Sequence, residues 1–136
     1  MLRQQPSGEE DEERAKWQTM ATSCLEKFKN WDAFASAVGT SWNISHKYHL
    51  LRAELAAVGG DTEEAAAAYV CAIQKAKEHC YINEEALARE RSGFFHLNIQ
   101  GDSQKGRDDL MVAAELYRKW GADAKVTDVA QLLNEF

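Results

Sequence analysis

Proline is almost absent from this chain. Its single proline is Pro6, so residues 7–136 contain none. Proline interrupts helices and is common in turn-rich folds, so this distribution, with an alanine-rich middle, argues against an all-β architecture. A length of 136 residues suits one domain around one continuous core. The sequence therefore predicts a single all-α domain.

The cysteines form no recognisable framework. Cys24, Cys71 and Cys80 make an odd count, and none of them has the Cys-x-x-Cys spacing of zinc sites. No run of 18 apolar residues occurs, and acidic residues stand where a signal peptide has its apolar segment. We expect free thiols, a cytoplasmic location and no membrane partner.

Positive charge is also scarce. The chain has 16 lysines and arginines against 22 acidic residues, and its formal net charge is −6. Nucleic acids and anionic lipid surfaces are bound by clustered lysine and arginine. We therefore expect neither of these as a partner.

Residues with catalytic or metal-binding chemistry are few and poorly grouped. His46 and His49 stand three apart on one expected helical face, but no third metal ligand accompanies them. His79 and Cys80 are adjacent, which does not arrange a catalytic pair. The glycines follow expected helices instead of strands, so they form no phosphate-binding loop. The sequence predicts no catalytic residue, no metal, no cofactor and no enzyme.

Apolar residues recur at helical spacing along the chain. Glycines end several of the segments, and Asp61 and Asp102 are placed to cap the helices that follow. These signals predict about six helices joined by short connections. Residues 1–8 are expected to be a disordered arm. In the first helix one apolar stripe is expected to pack in the core; it comprises Trp17, Met20, Ala21, Cys24, Phe28, Trp31 and Phe34.

One internal repeat is visible. Gly60-Asp61 and Gly101-Asp102 lie 41 residues apart, and Ala72 matches Ala113 at the same offset. Each Gly-Asp pair follows an expected helix and opens another. The repeat therefore predicts two helical hairpins in succession.

The first repeat resembles the tetratricopeptide motif, because Ala65, Tyr69 and Ala72 stand at the customary spacing of that motif. The resemblance implies antiparallel hairpins stacked in a right-handed superhelix. The expected hairpins span about 43–80 and 83–121. Flanking helices span about 9–37 and 123–136, all within one helical-repeat domain, 9–136.

Three longer strings resemble a more specific family. They are HLLRAELAAVGGD (49–61), EEALARERSGFFHLNIQGD (84–102) and AAELYRKWGADAKV (113–126). They are similar to the helical-repeat segment of large multidomain signalling proteins, where it lies between a P-loop ATPase-like module and GAF and histidine-kinase domains. The resemblance implies a non-catalytic module for protein interaction or signal relay. Its implied partners are a protein or adjoining signalling domains.

In the tetratricopeptide architecture, the first helices of successive hairpins line a concave groove that binds peptides or helices. We expect Phe95 on this groove and its neighbour Phe94 in the core, since consecutive helical positions point about 100° apart. Trp42, in the turn before the second helix, is a further contact candidate. The expected groove residues are Lys47, Leu50, Glu54, Arg91, Phe95 and Asn98.

Glu54 and Glu90 lie among alanine and leucine, and a buried carboxylate requires a cationic partner. The candidate partners are Lys75 or Arg91 for Glu54, and Lys125 or Arg118 for Glu90.

Two other functions stay open at this point. One is homo-oligomerisation, with a possible homodimer formed through an apolar edge of the first helix, with Trp17 and Phe28, or of the sixth. The other is a small-ligand or metal-binding regulatory site built from His46, His49, Cys80 and the glutamates.

Overall fold

The structure, a computed structural model, describes residues 8–135. Over this range it consists of six α-helices and contains no strand, so the all-α class is confirmed. The expected disordered arm, residues 1–8, lies outside the described residues except for Gly8, the first residue of the first helix. The helices are α1 (Gly8–Ala37), α2 (Ser45–Gly59), α3 (Thr62–Glu78), α4 (Ile82–Phe95), α5 (Ser103–Trp120) and α6 (Asp123–Glu135).

The helix ends follow the signals in the sequence. Gly60 and Gly101 adopt left-handed backbone angles, with φ of 84° and 71°, which only glycine adopts without strain. The side chains of Asp61 and Asp102 each accept a hydrogen bond of 3.1 Å from the backbone amide three residues later. These capping predictions are confirmed.

Each helix packs against the next along the chain. The most extensive contacts join α2 with α3 and α4 with α5, while α3 with α4 and α5 with α6 form the smaller seams. Residues 60–61 connect α2 to α3, and a π-helical turn, His96–Gln100, followed by residues 101–102 connects α4 to α5. The antiparallel hairpins that short connections favour stay a prediction. The right-handed superhelix stays a prediction. None of the described helices combines the length and apolar character needed to cross a membrane.

The core is built largely from alanine, which lets helices approach closely. Phe95 of α4 joins the first of two buried clusters and thereby links α4 to α2 and α3. The first cluster comprises Ala53, Ala65, Ala68, Tyr69 and Phe95, and the second Ala86, Leu110, Ala113, Tyr117 and Val129.

α4 and α5 approach each other closely at Gly93 and Gly106. A Cβ atom on Gly106 would lie 2.5 Å from the Cγ of Leu97 and 2.9 Å from the backbone oxygen of Gly93. Leu97 belongs to a π-helical turn, His96–Gln100, that extends α4 toward α5. Beside the crossing, the Ser92 hydroxyl donates to Asp109 at 2.7 Å. The backbone φ of Gly106 is not in the left-handed region, so backbone conformation does not require glycine there. Close packing does.

We predict that Gly106→Ala lowers the free energy of unfolding by about 1–3 kcal/mol, because the added methyl group overpacks the crossing. Gly59→Ala is the matched control, since a Cβ there meets nothing within 4 Å at the end of α2. The control should leave stability unchanged or raise it by up to about 1 kcal/mol. Urea unfolding followed by circular dichroism measures both, and equal effects would contradict this account of the crossing.

Candidate interaction surface

The expected groove face carries an internal ion pair. Arg91 of α4 donates two hydrogen bonds to the Glu54 carboxylate of α2, from Nε at 2.8 Å and from Nη2 at 2.9 Å. The Tyr69 hydroxyl of α3 donates a third, at 2.8 Å. Burial, and secondarily the Glu54 charge, raises the pKa of Tyr69 above its usual range. Arg91 is therefore the partner of Glu54, and Lys75 is not.

A second cluster of the same chemistry joins the next three helices. Tyr117 of α5 donates to Glu90 of α4 at 2.6 Å, and Lys125 of α6 donates to the same carboxylate at 2.9 Å. The Lys125 ammonium also lies 5.3 Å from the centre of the Tyr117 ring, within range of a cation–π contact. Of the two candidate partners for Glu90, Lys125 is confirmed. Arg118 instead pairs with Glu115 on the same helix.

The expected exposure of Phe95 is wrong. Phe95 is 1% exposed, and its ring lies 5.3 Å from that of Tyr69, inside the seam between α3 and α4. Phe94, expected in the core, is 37% exposed, and the Arg91 guanidinium lies 5.2 Å from its ring centre. The face that includes Glu54 and Phe95 turns inward toward Tyr69, so it lines a seam instead of an open groove.

The other expected contact residues do not form one surface. Leu50 is half-buried against the first core cluster. Asn98 is exposed, but its amide donates to the Phe94 carbonyl at 3.0 Å. Lys47 and Trp42 are exposed near the start of α2, with Trp42 on a short 3₁₀ turn, Ser41–Asn43. Of the seven expected residues, Trp42, Lys47 and Asn98 are therefore the exposed ones.

The structure instead reveals an apolar surface on α1. Four apolar side chains in one row of this helix are between 49% and 71% exposed, so the expectation that they are buried is wrong. Another row of α1, Ala21, Leu25, Phe28, Asp32 and Ala35, is the one that is half-buried or buried. The exposed row, which we call the outer stripe, comprises Trp17, Met20, Trp31 and Phe34.

The outer stripe has heptad spacing. Successive members lie 3, 11 and 3 residues apart, and the middle interval contains exposed Cys24 and Lys27 at the intervening heptad positions. Steps of three and four residues are typical of a helix that packs lengthwise against another helix. The signal was present in the sequence. It could not be separated from the neighbouring inner row, because both rows have the same spacing.

A cleft adjoins the outer stripe. It lies between the first half of α1 and the end of α2 and encloses about 570 Å³. Four apolar residues line it, Trp17, Ala21, Leu55 and Val58, together with the polar residues Glu10, Glu13, Arg14 and Gln18. The Trp17 indole donates to the Glu13 carboxylate at 3.4 Å. The outer stripe and this cleft form a continuous candidate surface around Trp17.

The expected histidine pair is not arranged as a metal site. His46 is 4% exposed, and neither ring nitrogen has a hydrogen-bond partner, since Glu84 lies 3.9 Å away. The ring stacks on Tyr81 with centres 4.7 Å apart. His49 is half-buried, and its Nδ1 also has no partner. Across residues 8–135, no group of three or more His, Cys, Asp or Glu side chains is placed to hold a metal ion.

Comparison with protein-family models, curated proteins and solved structures gives no match to this chain. The functional argument therefore depends on the geometry of the surface itself.

We predict that the Glu54–Arg91 pair couples more strongly than an exposed pair. In a double-mutant cycle with Glu54→Gln and Arg91→Met, the expected coupling energy is about 1–2 kcal/mol, because the bond is bidentate and partly shielded. The control cycle uses Glu115 and Arg118, both more than half exposed, where coupling below about 0.5 kcal/mol is expected. Equal coupling energies from urea unfolding would contradict a structural role for the Glu54 cluster.

We also predict that stability falls as the pH drops below about 6.5, the usual histidine pKa. Burial lowers the pKa of His46, His49 and His96 below that value. The unfolded chain then binds protons that the folded chain does not, so the unfolding free energy decreases toward acid. Each histidine adds up to about 1.4 kcal/mol per pH unit. Unfolding between about pH 7.5 and 5.5 measures this slope. His46→Phe should flatten it, and an unchanged slope would contradict the prediction.

Proposed function

We propose that this chain is a non-catalytic protein-interaction module whose docking surface is the outer stripe of α1 with the adjoining cleft. One observation carries the proposal: two tryptophans, a phenylalanine and a methionine stand half or more exposed in one row. Exposed apolar rows of this size mark interaction sites on soluble domains, and tryptophan is enriched where binding energy concentrates.

The seam around Glu54 supports the choice of α1 over the α2 and α4 face. Glu54 and Arg91 satisfy each other with two hydrogen bonds, and Phe95 is enclosed behind them. A partner on that face would have to desolvate or break a satisfied ion pair, which is costly. The outer stripe offers apolar area without that loss.

The resemblance to the connector segment of multidomain signalling proteins is consistent with this function. It implies a module that relays signals through contacts instead of chemistry. In that setting the occupant of the outer stripe is another protein or an adjoining signalling domain.

The proposal is tested by site-specific photo-crosslinking in cells that express the protein. A photoreactive amino acid at position 31 should give adducts with a partner. The same amino acid at position 120 is the matched control, because Trp31 and Trp120 are 52% and 55% exposed on different helices. We expect at least about tenfold more adduct from position 31, as for a hot-spot residue against a surface residue.

A third placement, at position 42, tests the face near the start of α2. Adducts from position 42 alone would move the docking surface to Trp42 and Lys47 and contradict the assignment to α1. Equal adducts from positions 31 and 120 would show that the outer stripe has no particular affinity, and they would also overturn the proposal.

A further inference from the structure

We propose that the occupant of the outer stripe is a second copy of this chain, bound by antiparallel pairing of α1 with its counterpart. This inference rests on the proposed function and names the partner of that surface. Three features of α1 support it: the spacing of the stripe, the distribution of charge and the area available.

The spacing fits a two-helix seam. In heptad terms, Trp17, Cys24 and Trp31 occupy one core position, and Met20, Lys27 and Phe34 the other. One flank of this seam is the inner row that already packs toward α2. Only the outer flank is open, so α1 has room for one further helix. A pair is therefore favoured over a larger bundle.

The charges set the direction of the pair. Five consecutive acidic residues, 9–13, are exposed in the first turns of α1. Parallel pairing would bring the two acidic runs together, whereas antiparallel pairing places them at opposite ends. It also lets Trp17 lie opposite Phe34 of the second copy, and Met20 opposite Trp31. Lys27 then faces Cys24 at the centre, where its aliphatic stem packs and its ammonium reaches solvent.

The area fits a reversible dimer. A fully buried aromatic side chain removes about 150–250 Å² of surface from water. The four side chains of the outer stripe are about half exposed, so they can bury roughly 500 Å² per copy on association. A standard stable interface buries about 800 Å² per partner. Flanking side chains of α1 must supply the remainder. We therefore expect dissociation in the micromolar range instead of an obligate dimer.

Sedimentation velocity or light scattering over a wide concentration range tests the dimer. The wild-type chain should pass from monomer to dimer as concentration rises, and Trp31→Glu should weaken association at least about 100-fold, as for removal of a central hot spot. Trp120→Glu is the matched control and should dimerise like the wild type. A wild-type chain that stays monomeric at about a hundredfold above micromolar concentration overturns the inference, as does a dimer that Trp31→Glu leaves intact.

The direction is tested by thiol crosslinking. In a Cys71→Ala, Cys80→Ala background, Cys24 lies about 4–5 Å along the helix axis from its counterpart in the antiparallel pair. A bis-maleimide of about 10 Å should therefore join the two copies. In the matched variant Glu13→Cys with Cys24→Ala, the thiols are about 37 Å apart in the antiparallel pair and adjacent in a parallel one. Crosslinking at position 13 would overturn the antiparallel arrangement, whether or not position 24 also crosslinks, because a parallel pair brings both thiols next to their counterparts.

Failure of this inference differs from failure of the proposed function. A monomeric protein that gives adducts with a different protein from position 31 rules out the second copy and keeps the docking surface. A lack of any preference for position 31 over position 120 in cells removes the surface itself.

Discussion

Each of two carboxylates joins three helices. Glu54 of α2 binds Tyr69 of α3 and Arg91 of α4, and Glu90 of α4 repeats the arrangement with α5 and α6. The two clusters meet at consecutive positions of α4, because Glu90 and Arg91 point about 100° apart and reach different neighbours. A continuous polar linkage therefore runs from α2 to α6. α1 lies outside both clusters, and the Ser45 hydroxyl of α2 donates a hydrogen bond to Asp32 of α1.

The carboxylates matter because the core is mostly alanine. A buried alanine contributes little apolar area, so the seams gain modest hydrophobic stabilisation. Helices shifted along one another by a turn would bury nearly the same apolar area. A tyrosine hydroxyl and a cation directed at one carboxylate are satisfied in a single register. Breaking such a link leaves a shielded charge unpaired, which costs more than the intact pair contributes. The clusters thus specify helix positions that the core alone would leave degenerate.

Some features of the fold depend on local chemistry and others on tertiary packing, and this difference explains what the sequence could predict. The caps at Gly60 and Asp61 depend on local chemistry, and the partners of the glutamates could be narrowed to two each, so these features were accessible. The sequence did not reveal which of Phe94 and Phe95 is buried and which is exposed. The 41-residue offset places Phe95 at the level of Glu54, and both contact Tyr69, but whether that face is open depends on how α3 meets α4. For α1, two rows of equal spacing compete, and only tertiary packing decides which is covered.

The internal pairing of these charges also determines where a binding partner gains the most free energy. In the two clusters that join α2 to α6, Glu54 and Glu90 already have internal partners, so docking there exchanges one satisfied contact for another. On α1 the inner row packs toward α2, whereas the aromatic side chains of the outer stripe stay more than half exposed. Covering them removes apolar area from water without breaking a polar bond. The helix least needed for the internal linkage is therefore the one with the most free energy available for association.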